Sequence, residues 1–468
     1  MICDLKPYPE MKGTSIPWLE ELPAGWSVCR NGSLFVQRIE TGFADLAILE
    51  VSLKTGVRVR EFGGSSRKQI MEDRAKYKRA SCGDVAYNMM RMWQGAVGVA
   101  PVDGLVSPAY VVARPLPGVL PHYFAYLFRT DAYMGEVDNY SRGIVKDRNR
   151  LYWEQFKQIQ TPCPPTAEQA AIVRFLDHAD RKIRRYIRAK QTLIKLLEEQ
   201  KQVIIHRAVT GGLDPNVRLK PSGEEWLGDV PEHWEIRRVK SLSLVKRGAS
   251  PRPIADQKYF DEGGEYAWVR IADVSASRKY LEETTQRLSV LGESMSVRLQ
   301  PGALLLSIAG SVGKPIITKI KCCIHDGFVY FPQYHGNADF LYRVFSCGAP
   351  FGRLGKLGTQ LNLNTDTVGG IRLGLPPDGE QGVIVAYLDE ATTGIEQAVA
   401  CVRREINLLH EYRTRLIADV VTGKLDVREA AAQLPDEEQE PQLLDDLDEI
   451  SDPEEAALDD LDTAPEDP

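Results

Sequence analysis

The chain is predicted to be an α+β protein: two globular α/β-mixed domains separated by two long helices packed as an antiparallel coiled coil, in a pseudo-two-fold internal repeat. Three observations predict this. Between Glu168 and Ala208, apolar or small residues recur with alternating steps of four and three. From Pro164 to Asp214, 20 of 51 positions are identical to Pro376–Asp426 at a shift of 212, without a gap. A tryptophan segment, W-L-x-x-L/V-P-x-x-W, occurs at Trp18–Trp26 and again at Trp226–Trp234, at a shift of 208.

The first helix carries the seam Ile172, Leu176, Ala179, Ile183, Tyr186, Leu193, Leu197 and Ile204, with Lys190 and Gln200 as polar interruptions. The shift lays Ile172, Leu176, Ala179, Ile183, Leu197 and Ile204 on Ile384, Leu388, Ala391, Ile395, Leu409 and Leu416. Such spacing makes one long helix with a stripe that seeks a partner. About 41 residues at 1.5 Å each give a rod of roughly 60 Å. Both copies open on Pro-Pro (Pro164 and Pro165, Pro376 and Pro377), with Thr166 or Asp378 as N-cap and Glu-Gln following at Glu168, Gln169 and Glu380, Gln381. Both close on Val-Thr-Gly-x-Leu-Asp, where Gly211 and Gly423 are the expected helix stops. Gly382, in the first turn of the second helix, costs up to about 1 kcal/mol relative to Ala in a helix interior and less near an end.

The repeat of the tryptophan segment extends the duplication to the globular parts. Its tryptophans, near a Pro turn, are expected to anchor cores. In the first domain β-like runs lie at Leu46–Leu53, Asp84–Asn88, Val97–Val102 and Ala109–Ala113, with an amphipathic helix at Pro121–Thr130. The second repeats the mixture at Tyr266–Ile271, Ala303–Ala309, Ile316–Ile320 and Gly327–Phe331, with a helix at Asp339–Phe345. Gly211–Glu225, rich in Gly, Pro and polar residues, reads as a linker. The expected divisions are therefore 1–163 and 215–375 for the globular domains, 164–214 and 376–430 for the helices, and 431–468 for a tail.

That tail distorts the charge of the whole. The chain of 468 residues has a formal net charge of −7, yet Gln433–Pro468 holds 16 Asp or Glu and no Lys or Arg. Without it 58 basic residues face 49 acidic ones, a net of +9, which permits a polyanion as partner. The tail has the composition of disorder, and an acidic arm competing with DNA is its sharper reading. No apolar run reaches 18 residues and no signal-peptide pattern opens the chain, so a cytoplasmic protein is expected. The eight cysteines form no C-x-x-C pair and are expected to be reduced thiols without a metal.

Catalytic patterns are missing. Gly310, Gly313 and Lys314 imitate a phosphate loop, but Ile308 stands where its first Gly belongs and Pro315 where its hydroxyl belongs. No serine elbow, zinc-protease or amino-methyltransferase signature occurs, and a non-catalytic chain is expected. The positive signal is basic and amide side chains in Gly-punctuated loops. In the first domain they are Arg91, Gln94, Ser141, Arg142, Lys146, Arg148 and Asn149; in the second, Lys246, Arg247, Arg252, Ser311, Lys314, Lys356, Gln360, Asn362 and Asn364. Arg and Lys neutralise phosphates or read guanine, and Asn and Gln pair with adenine.

The duplicated order of tryptophan segments, Pro-Pro-x-x-Glu-Gln starts and Thr-Gly-x-Leu-Asp ends over residues 14–430 resembles the specificity (S) subunit of type I restriction-modification systems, the HsdS family. The resemblance implies two target-recognition domains, each reading one half of a bipartite site in double-stranded DNA, and two conserved helices that set the gap between the halves. It also implies partners: two modification (methyltransferase) subunits bringing S-adenosylmethionine, and two restriction subunits bringing ATP-driven translocation and cleavage, with ATP and Mg, so that no cofactor is expected on this chain. Arg184, Arg185, Arg188, Arg403 and Arg404, beside the seam, are docking candidates on this view. The alternative is a coiled-coil scaffold joining two protein-binding domains without nucleic acid.

Overall fold

The computed structural model describes residues 5–60, 74–143, 149–352 and 363–435. It divides into two compact units, one of residues 1–184 with 410–468, the other of 185–409. Each unit holds one sheet-rich domain, part of the helix that follows it, and part of the other long helix.

The two domains have one topology. In the first, Phe35–Arg38, Tyr110–Pro115, Val85–Asn88 and Val97–Val99 form an antiparallel sheet in that order. A second sheet orders Gly56–Val59, Ala47–Ser52, Gly104–Val106 and Lys78–Ala80, with the middle pair parallel. In the second domain the order recurs as Lys246–Arg247, Phe328–Tyr330, Leu304–Ser307 and Pro315–Thr318, with Tyr280–Leu281 added at the edge. Its other sheet orders Gln286–Arg287, Ala267–Val269, Cys322–Ile324 and Val297–Leu299, again with a parallel middle pair. Every strand expected from the sequence is present within a few residues. The short strands Phe35–Arg38, Gly104–Val106 and Cys322–Ile324 carry too few alternations to stand out. The expected helices fall at Pro121–Phe128 and Ala338–Ser346.

The long helices run Thr166–Gly211 and Asp378–Val421. They are antiparallel. In the second unit Lys190 pairs with Glu405, Glu198 with Arg403 (2.9 Å) and Lys201 with Glu396, so one number rises as the other falls. In the first unit Asp180 takes Arg413. Ile172, Leu176, Ile183, Ile384, Leu388 and Leu416 are buried as expected, while Leu197, Ile204, Ile395 and Leu409 are half-buried.

Tyr186 and Leu193 depart from the expected seam: they are 51% and 44% exposed, and Ile187 is buried instead, with Ile194 half-buried. The sheltered stripe reads 172, 176, 179, 183, 187, 190, 194, 197, 201, 205, 208, ten steps over 36 residues. That is the 3.6 period of a straight α-helix; a strict 3.5 repeat drifts about 20° per heptad away from it. Lys190 and Lys201 sit on this stripe and meet carboxylates across it, while Gln200 is exposed. The helix stop also differs. Gly211 is the last helical residue and Gly212 takes the left-handed conformation, φ +71°, whereas Gly423 takes it in the second copy, φ +76°.

Candidate nucleic-acid interface

Strand direction decides which loops share an end of a domain. In the second domain Lys246–Arg247 and Leu304–Ser307 run one way, and Phe328–Tyr330 and Pro315–Thr318 the other. Ala267–Val269 is parallel to Cys322–Ile324, which turns through His325–Gly327 into Phe328. The loops after Arg247 and Val269, the turn 308–314 and the turn 325–327 therefore emerge together. Hydrogen bonds lace them: Ile308 N to Gly327 O (2.8 Å), Gly248 N to Phe328 O (3.0 Å), and Lys314 Nζ to the carbonyls of Ser275 (2.9 Å) and Ser277 (3.1 Å). Gly248 is required here, because a Cβ would overlap the His325 carbonyl.

Asp326 organises the basic loop. Its carbonyl accepts from Arg247, and its carboxylate accepts from Ser250 (3.0 Å) and Arg252 (3.2 Å). Burial works to raise its pKa, but the Ser250 hydrogen bond and nearby Arg247 hold it below the ordinary value. Lys246, Arg247 and Arg252 stay exposed at this end. Lys314 is different: half-buried on backbone carbonyls, with burial lowering its pKa, it ties two loops together. The exposed Ser311 hydroxyl lies 3.0 Å from that of Ser275. Ser311 and Lys314 line a cleft of about 610 Å³ with Lys201, Gln202, Arg343 and Phe351.

In the first domain the turn 89–96 holds the place that 308–314 holds in the second, between the third and fourth strands of the matching sheet. It carries Arg91, half-buried, and Gln94, exposed. Asn88 Oδ1 accepts from Met90 N (2.8 Å) and Gly95 turns the chain at φ +90°. Leu151 N donates to Met89 O (2.8 Å), which brings the loop after helix Asp131–Tyr140 alongside. Its Ser141 donates to Val137 O (2.7 Å), Asn149 donates to Asp138 (3.2 Å), and Arg142, exposed, pairs through its backbone with Arg150. Asn364 caps helix Thr365–Gly370, accepting from Asp366 N (2.9 Å) and Thr367 N (2.8 Å). Lys146, Arg148, Lys356, Gln360 and Asn362 lie outside the described residues.

Several residues that organise the site escaped sequence reasoning. The two duplicated motifs touch: Trp26 Nε1 donates to Glu168 (2.9 Å), joined by Tyr8 OH, and Trp234 Nε1 donates to Glu380 (3.0 Å), with His233 Nε2 at 2.7 Å. The end of the opposite helix closes each junction, where Gly423 lies against Pro23 and Trp26, and Gly212 against Trp234. A second tie holds each domain on its helix: Tyr126 OH donates to Asp177 (2.6 Å), and Arg343 pairs with Asp389. Asp177 and Asp389 are 212 apart, so the repeat itself carried the signal. Of the docking arginines, Arg184 pairs with Asp180 (2.8 Å) and Arg403 with Glu198, while Arg185 and Arg404 are exposed and Arg188 is half-buried. Among the described residues no group of three or more His, Cys, Asp or Glu could hold a metal, and no helix is long and apolar enough to cross a membrane.

A twice-built domain with its polar loops gathered at one end, mounted on paired helices, is the class of protein these elements define. Residues 231–399 match the family model of the type I restriction modification DNA specificity domain. Over those residues the chain is similar to the specificity subunits of type I restriction-modification systems, the family its duplicated motifs resemble. Its fold is similar to a solved structure described as underlying complex assembly and conformational transition of the type I R-M system: TM-score 0.63, 18% identity, covering 86% of this chain and 99% of that one. The HsdS subunit from Thermoanaerobacter tengcongensis is also matched, at TM-score 0.43 and 21% identity over 86% of this chain and 96% of that one.

Proposed function

We infer that this chain is the DNA sequence-specificity subunit of a type I restriction-modification complex, each sheet-rich domain reading one half of a bipartite site. The observation that carries the reading is the family match over the second domain, together with the same strand order in the first. That match favours DNA recognition over a protein-binding scaffold. The bases themselves would be met by the loops gathered at one end: Arg91, Gln94 and Arg142 in the first domain, and Lys246, Arg247, Arg252 and Ser311 in the second. Ser141, Asn149, Lys314 and Asn364 would shape those loops, since their side chains already bond within the domain. On this reading the chain is non-catalytic and cytoplasmic, with methylation, S-adenosylmethionine, ATP and Mg residing on two modification and two restriction subunits.

Docking of the modification subunits would use apolar surface more than the arginines. Tyr186, Leu193, Leu196 and Val203 are exposed along one face of the first helix, at spacings of seven, three and seven, and Val383 and Tyr387 are exposed on the second. Such a stripe on a helix already paired on its other side marks an interaction surface. Co-expression with the modification subunit and sequencing of methylated adenines tests the whole reading. Exchanging residues 215–375 for another family member's domain should change one half of the methylated motif and leave the other. Unchanged methylation in both halves after either domain is exchanged would overturn it.

A further inference from the structure

The turn that joins the two sheets of each domain is built twice. Residues 107–109 carry the first domain's chain from Gly104–Val106 into Tyr110–Pro115, and residues 325–327 carry the second's from Cys322–Ile324 into Phe328–Tyr330. Both close through the backbone, Tyr110 N donating to Ser107 O (2.9 Å) and Phe328 N to His325 O (3.1 Å). In both, the first side chain also accepts from the amide two residues on: Ser107 Oγ from Ala109 N (3.3 Å), His325 Nδ1 from Gly327 N (2.8 Å). The turn thus asks only for an acceptor, and a serine supplies it. Imidazole supplies the same acceptor and adds a second nitrogen. The ring also demands room: a Cβ on Gly327 would lie 2.3 Å from its Cε1, where the first half keeps Ala109 beside the smaller serine.

A ring whose Nδ1 accepts carries its proton on Nε2. Among the described residues nothing takes a hydrogen bond from that Nε2, and 20% of the side chain is open to solvent, at the end where the basic loops emerge. The donor is held stiffly, because the imidazole lies edge-on to Phe328 (ring centroids 4.8 Å apart) and 6.0 Å from Trp268. It is also neutral near pH 7: burial lowers the His325 pKa, which Asp326 raises and Arg247 lowers further. A neutral, fixed donor adds little on a phosphate to the charges of Arg247 and Arg252, but it suits a single acceptor on a base edge. We propose that His325 Nε2 donates to a base in the major groove of the half-site read by the second domain, and so excludes cytosine at one position. Cytosine presents an amino donor there, whereas guanine, adenine and thymine each present an acceptor. The role rests on the DNA-reading function inferred above.

His325→Ser gives the second turn the side chain of the first, keeping the acceptor and removing the outer donor. Co-expressed with the modification subunit, the variant should methylate sites that carry cytosine at one position of the second domain's half, discrimination there falling about tenfold while the first half stays unchanged. A motif unchanged in both halves would overturn the proposal. So would methylation weakened at every site alike, the result of a phosphate contact or a loosened turn. The parent complex tests the contact without any substitution. Diethyl pyrocarbonate acylates a neutral, accessible imidazole nitrogen, and peptide mass spectrometry reads His325 by itself. The parent's own site should slow that acylation about tenfold, and a random-sequence duplex at equal occupancy should not. Equal protection by both duplexes, or by neither, would overturn the proposal. A parent that methylates no bipartite site would overturn the DNA-reading function and this role with it, whereas a bipartite parent motif untouched by His325→Ser overturns the role of the histidine alone.

Discussion

The two halves of the molecule agree in different places for different reasons. Where helix meets domain they share residues: Trp26 and Trp234, Glu168 and Glu380, Asp177 and Asp389. Where loops leave the sheets they share only topology, since Arg91–Gln94 and Ser311–Lys314 fill one turn with unrelated side chains. The difference separates two jobs. A junction solves the same packing problem twice and keeps its chemistry; an exposed loop answers to no such packing demand and keeps only its position.

The junctions are not identical, and their differences give the largest expected effects. Gly423, at φ +76°, has no room for a Cβ beside Pro23, whereas Gly211, its counterpart in the repeat, is helical with nothing within 4 Å. Gly423→Ala should cost about 2–4 kcal/mol through strain and overlap, while Gly211→Ala should gain up to ~1 kcal/mol. Thermal unfolding of the two variants reads the contrast directly. Equal shifts would mean that the two helix ends are built alike.

Next comes the carboxylate. Glu168 is buried and accepts from both Tyr8 and Trp26, but Glu380 keeps 31% of its side chain exposed and shares it with the half-exposed His233. Glu168→Gln should cost about 1–3 kcal/mol and Glu380→Gln less than about 1 kcal/mol, because water replaces what the second loses. Denaturant midpoints of the two variants measure the difference. A larger loss at Glu380 would reverse the order of the junctions.

The second tie differs in kind, and pH exposes it. Burial raises the Asp177 pKa and the Tyr126 hydrogen bond opposes the rise. A carboxyl raised on folding binds its proton better in the native state, so stability falls as pH climbs from the unfolded value, about 3.9, through the folded one. Asp177→Asn keeps an acceptor for Tyr126 and removes the titration. The variant should therefore gain on the parent between pH 4 and 7, in denaturant midpoints measured across that range. A constant gap would show that burial of Asp177 is not felt as charge.

Much of this was legible in the sequence because a repeat reports its own equivalences. Fold class, helix pairing and the main strands followed from periodicity and the shift of 212. Tyr186 and Leu193 were misplaced because a heptad template and a straight helix agree for two turns and then part, and nothing local in the chain chooses between them. The site was legible in outline only. Residue type singled out Lys314 and Asn364, but a lysine that ties two loops and an asparagine that caps a helix look the same in sequence as side chains aimed at DNA. Asp326, which sets the basic loop, was missed because its partners are 74 to 79 positions away.

The smallest expected effect tests the helix register itself. Lys201 with Glu396 and Lys190 with Glu405 are partly exposed pairs, worth only about 0.2–1 kcal/mol each. Their value lies in specificity. Lys201→Glu should destabilise through repulsion across the stripe, and adding Glu396→Lys should restore most of the loss. Combining Lys201→Glu with Glu405→Lys should not, because that pairing is about two and a half turns out of register. Rescue by Glu405→Lys, seen as a coupling in a double-mutant cycle, would place the second helix in a different register and with it every seam contact above.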